Sequence, residues 1–187
     1  MTLLEKISLR KINSLVLLVI FILLLNHACE SILYLIGISP YSPNMQVTGR
    51  RLFLWVGLHV IISLYLFIRD KISNRKFKKY AVIGNDTQKQ VLSGMGIVIF
   101  VILHVITYSI SPVNILNNQM IYIHLVIDNL LFYSLLIHLT LSIPRLMMSF
   151  GFLTKKDAYK KFSNRISIAF KVIFILLLFA EVVYYLL

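Results

Sequence analysis

Five histidines occur in this 187-residue chain, and every one sits inside an apolar run: His27, His59, His104, His124 and His138. The first lies in "LLLNHACESILYLIG", residues 23–37, where Asn26, His27 and Glu30 interrupt an otherwise apolar stretch. An ionisable side chain in a bilayer core costs roughly 2.5–3.5 kcal/mol even on lenient insertion scales, so it normally faces a protein interior and marks a site. An imidazole held there can bond a neighbouring helix, move a proton or give a ring nitrogen to a metal. One such histidine is explained by an interhelical hydrogen bond. Four of them, one per helix and matched in depth, call for a shared ligand.

The elements that must position them are apolar and long. Hydrophobic residues make up 59% of the chain, a composition that points to a membrane protein. Five runs, 12–36, 52–68, 91–110, 121–143 and 166–187, reach the roughly 17–25 residues a helix needs to cross a hydrocarbon core. The expected fold is all-α and polytopic: a single transmembrane domain over 1–187, with a four-helix bundle that carries the histidines and a fifth helix. The first run continues as "SILYLIG" past the only plausible cleavage point, and "NHAC" is a poor lipoprotein box, so that helix is expected to stay.

The net charge of +12 could suit nucleic acid, but the 19 Lys and Arg cluster between the apolar runs, as cytoplasmic loops do. Lys6, Arg10 and Lys11 precede the first run; Arg69, Lys71, Arg75, Lys76, Lys78, Lys79 and Lys89 lie between the second and third; Arg145, Lys155, Lys156, Lys160, Lys161 and Arg165 lie between the fourth and fifth. "SPVNILNNQM" carries no charge, and the 37–51 loop has only Arg50 and Arg51; "SPYSP" and "SPVN" are turn signals. The expected topology is therefore a cytoplasmic amino terminus and an external carboxyl terminus in a cell membrane. One cysteine, Cys29, excludes an internal disulfide, a CxxCH haem attachment and a cysteine zinc cluster.

Counting from the nearest basic residue at about 1.5 Å per residue, His27 and His104 lie about 24 and 22 Å deep, and His59 and His138 about 15 and 10 Å. Two layers result. In an up-down-up-down bundle, alternate helices face each other across the core, where paired imidazoles can supply both axial ligands of a haem iron. Two stacked haem b groups are expected, one held by His59 and His138, the other by His27 and His104. Ser63 beside His59, and Ser134 and Ser142 around His138, form small-residue stripes. Glu30 and Ser31 for His27, and Thr107 for His104, are the expected partners of the free imidazole N–H.

The remaining polar residues have plainer readings. His124, with Asp128 four residues on, is expected to be solvated at the external interface. Glu30 and Glu181 read as interfacial carboxylates or, functionally, as a proton-exchange site for a quinone. Cys29 reads as a small packing residue, and Lys171 as a snorkelling one.

Taken in order, these pieces resemble the five-helix di-haem cytochrome b anchor of succinate dehydrogenase and fumarate reductase complexes. The likeness runs from "LRKINSL" to "NRISIAFKVIF". It is carried by "HVIISLYLFIRD", with a small residue four and an Asp eleven positions after the His, and by "QVLSGMGIVIFVILHV", with a Ser-Gly pair about ten residues before the ligand His. Asn13, Val91 and Ser63 depart from the pattern, standing where a His, a basic residue and a Gly are usual; Lys89 or Arg10 could replace the missing cytoplasmic-side contacts. The resemblance implies the same ligand pairs, a cytoplasmic iron–sulfur subunit and flavoprotein docked on the basic loops, and a quinone, usually menaquinone, as electron partner. The chain itself offers no succinate-oxidising site, having neither a dinucleotide fingerprint nor a cysteine set for a cluster. The rivals are a cytochrome b anchor of another respiratory oxidoreductase, and a haem-free membrane transport or assembly protein.

Overall fold

The computed structural model describes residues 9–72, 84–110 and 118–186, which form five helices: α1 (Leu9–Leu35), α2 (Pro43–Ile72), α3 (Gly84–Ile110), α4 (Asn118–Ser149) and α5 (Lys156–Leu186). The protein is all-α, with no strand among the described residues. All five helices are long and apolar enough to cross a membrane, the build of a multi-pass membrane protein. Large apolar side chains such as Leu54, Ile61, Leu92 and Ile110 stand on their outer surfaces, where a bilayer rather than water suits them. Lys6, Arg75, Lys76, Lys78, Lys79 and residues 111–117 lie outside the described residues.

The helices overrun the hydrophobic runs because caps, not hydropathy, set their ends. α1 stops at Gly37, whose φ of 74° is the left-handed conformation glycine adopts freely; Ile38 N–H then reaches back to Leu33 C=O at 2.9 Å. The second half of "SPYSP" opens α2 rather than ending a loop. Ser42 Oγ accepts the Asn44 N–H at 3.2 Å, and Pro43, whose missing N–H costs nothing in the first turn, starts the helix. α4 runs on through the buried Pro144 and ends at Gly151, φ 83°, with Phe152 N–H on Met147 C=O at 3.0 Å.

The chain divides into two compact units, Met1–Lys78 and Lys79–Leu187. In the first, α1 and α2 pack antiparallel: His27 lies against Gly49, while Asn13 reaches His59 and Ser63. Its small apolar core is Val16, Ile62 and Leu66, flanked by Leu9 and Ile20. In the second, α4 lies antiparallel to α3, with His138 against Gly94 and Asp128 against His104, and α5 packs on α4. Gly96 faces Ser134 so closely that a Cβ there would sit 3.0 Å from Ser134 Oγ, so glycine lets α3 and α4 approach.

Candidate functional site

His27, His59, His104 and His138 are each partly buried, whereas His124 is wholly enclosed. In three of the four partly buried histidines, Nδ1 meets an oxygen that can only accept. His59 Nδ1–H donates to Asn13 Oδ1 at 2.9 Å, and the Asn13 amide N–H points on to Ser63 Oγ at 3.4 Å. His104 Nδ1–H donates to Asp128 Oδ1 at 2.6 Å. His138 Nδ1–H donates to the Gln90 C=O at 3.1 Å, with Ser93 Oγ 3.3 Å away. At His59, Ser63 Oγ also stands 3.3 Å from Nδ1 and 3.5 Å from Nε2. An acceptor on Nδ1 places the proton there and makes Nε2 the acceptor nitrogen of the ring, the tautomer in which histidines bind metals.

The fourth, His27, has a different support. Its ring lies on the backbone of α2, where a Cβ on Gly49 would come within 3.3 Å of Cε1. His138 uses the same device, since a Cβ on Gly94 would also come within 3.3 Å of its Cε1. A hydroxyl residue precedes each glycine, the buried Thr48 and Ser93, and a histidine follows ten residues later, His59 and His104. Each unit thus sets its two imidazoles about 15 Å apart along the helix axis. Counting from basic residues had placed the layers closer, about 9 to 12 Å apart, because it treats helix ends as level.

Several expected partners act elsewhere. Ser31 Oγ donates to the His27 C=O at 2.8 Å, and Thr107 Oγ1 to the Leu103 and His104 carbonyls at 3.0 Å, since a hydroxyl in mid-helix turns back onto the preceding turn. Glu30 Oε1 accepts from the Asn26 side-chain N–H at 3.2 Å. Ser142 Oγ accepts from Gln90 Nε2 at 2.8 Å, and the Gln90 Oε1 takes an N–H from Arg145. Arg145 is thereby joined to this layer through Gln90. Cys29 is exposed on α1 rather than packed.

The largest correction concerns His124. It is 0% exposed, not solvated, because α3 and α5 close over it: the Tyr108 ring meets it edge-on at 4.3 Å and the Tyr185 ring lies nearly parallel at 6.4 Å. Asp128 and Glu181 are 2% and 1% exposed, so neither carboxylate is solvated. Asp128 Oδ2 accepts from Tyr108 Oη at 2.6 Å, and Tyr108 Oη lies 2.9 Å from Tyr185 Oη. A chain therefore runs from His104 through Asp128 and Tyr108 to Tyr185, drawn from α3, α4 and α5. Glu181 lies one turn before Tyr185 on α5, its Oε2 buried without a hydrogen bond. Asn13, Gln90 and Tyr108 carry no sequence signal as histidine partners; Asp128 did, being an acid inside an apolar span.

Comparison with protein-family models, curated proteins and solved structures finds no match. The chemistry of the site rests on its own geometry.

Proposed function

We propose that the protein is a membrane cytochrome b that conducts electrons, with two haem b groups held by His59 with His138 and by His27 with His104. The observation that carries this is the anchoring of His59, His104 and His138 through Nδ1 to Asn13, Asp128 and Gln90. Interhelical bonding alone has no need to direct three imidazoles the same way, whereas ligation through Nε2 does. The glycine seats under His27 and His138 add to it, since they fix ring positions that a flexible contact would leave free. Bound between such imidazoles, an iron porphyrin supplies one-electron chemistry. The chain contributes orientation, an apolar surround and the bonds that set imidazole basicity.

On this reading the protein anchors a soluble iron–sulfur subunit, itself bearing a flavoprotein, on its basic segments at the cytoplasmic side of a cell membrane. It exchanges electrons with a quinone, menaquinone by the resemblance to succinate dehydrogenase and fumarate reductase anchors. Glu30 and Glu181 are the carboxylates proposed to exchange protons with that quinone. The test is a pyridine haemochrome assay with a reduced-minus-oxidised spectrum on protein purified from its host membrane. Two haem b per chain are expected; one removes a ligand pair, and none overturns the reading.

A second reading has its own support. The enclosed group of His124, Asp128, Tyr108, Tyr185 and Glu181 holds more polar side chains than two ligand pairs need, as a haem-free carrier of protons or cations requires. A spectrum without haem favours it.

A further inference from the structure

Asp128 differs from the other two Nδ1 partners in kind. Asn13 offers an amide oxygen and Gln90 a peptide carbonyl, both neutral, while Asp128 offers a carboxylate at 2.6 Å. Its second oxygen is not idle, because Tyr108 Oη donates to it at 2.6 Å as well. With its one hydroxyl hydrogen bonded to Asp128, Tyr108 must accept from Tyr185 across their 2.9 Å contact. The carboxylate is 2% exposed, so water does not dilute its charge. What His104 feels is therefore the share of that charge the tyrosines leave.

We propose that Asp128 and Tyr108 act as opposed positioning residues for the metal bound at His104, the carboxylate lowering its reduction potential and the tyrosine hydroxyl raising it. This rests on the haem reading above. A carboxylate on Nδ1–H gives the imidazole imidazolate character, and a more basic ligand stabilises the ferric state, which carries one more positive charge than the ferrous. A hydroxyl donating to the same carboxylate draws its charge away from the imidazole. Tyr185, donating to Tyr108, strengthens that withdrawal through the chain. The couple is a one-electron change at iron, with the protons staying on Nδ1 and on the tyrosines.

The two variants have opposite signs, which separates this effect from general loosening of the site. Redox titration of the purified full-length protein, followed in the haem absorption bands, resolves the two components. Asp128→Asn, nearly isosteric and uncharged, is expected to move one component upward and leave the other unmoved. Tyr108→Phe is expected to move the same component downward, and Tyr185→Phe downward by less. Shifts of Asp128→Asn and Tyr108→Phe in one direction, or no shift in either, overturn the proposal. If Asp128→Asn loses the component altogether, Tyr108→Phe decides alone: a fall supports the proposal, and a rise or no change ends it. Wild-type protein without haem removes the functional reading itself, a result distinct from haem whose potential ignores these residues.

Discussion

Gly49 and Gly94 each stand where a methyl group would press on an imidazole, whereas the same substitution at Gly57 meets open space. In a helix interior Ala is favoured over Gly by about 1 kcal/mol, and Gly57, with nothing within 4 Å of its notional Cβ, has room for that gain. At Gly49 and Gly94 the added carbon lies 3.3 Å from Cε1 of His27 and His138, so the ring must shift by a few tenths of an ångström or the helices must part. Overpacking of that kind costs about 1–3 kcal/mol. Gly57→Ala is expected to leave thermal stability in detergent unchanged or raised, and Gly49→Ala and Gly94→Ala to lower it. Each of the latter should also weaken one haem component and spare the other. Unchanged stability and spectra in both would mean the seats are incidental.

At the scale of the element, each helix pair sets one histidine at either end of a ten-residue interval. On the proposed reading, an imidazole about 15 Å along the axis cannot reach the iron its neighbour would bind. Replacing His59 or His138 by Ala is accordingly expected to remove one spectral component, and replacing His27 or His104 the other. His124→Ala should spare both while lowering stability, on the order of 2–5 kcal/mol as for other enclosed side chains cut to Ala, because nothing refills the space between Tyr108 and Tyr185. Only variants that still insert are scored, since a bound cofactor stabilises the state that holds it. Loss of one component on both His59→Ala and His104→Ala, with His27→Ala sparing it, would refute the pairing.

For the whole molecule, the distribution of charge is the feature that outlasts any detail of packing. Nineteen Lys and Arg oppose seven Asp and Glu, and the basic residues gather between the apolar runs. Such segments orient a membrane protein, and they also attract an acidic soluble partner through forces that salt screens. Changing Lys76, Lys78 and Lys79 together to Glu is expected to reduce co-purification of the proposed iron–sulfur partner and to make what remains more salt-sensitive. A complex that survives unchanged leaves those lysines with an orienting role alone.

What the sequence by itself determined was everything that depends on local composition. Five apolar runs long enough to span a membrane are five helices, because backbone groups without water must bond within the segment whatever lies beside it. The four histidines stand out in the sequence for a related reason, as polar residues an apolar span does not otherwise keep. Helix ends were less so: Ser42, Pro43, Gly37 and Gly151 set them by capping, which ignores hydropathy. Tertiary structure decided the partners. Asn13, Gln90 and Asp128 lie 46, 48 and 24 residues from the imidazoles they hold, on neighbouring helices, while the near neighbours Ser31 and Thr107 turned to their own backbone. His124 shows the difference most plainly. One turn from Asp128 and near a helix end it reads as solvated, and it is enclosed because Tyr108 and Tyr185 arrive from α3 and α5. Burial belongs to what other elements bring, and no single segment of sequence contains it.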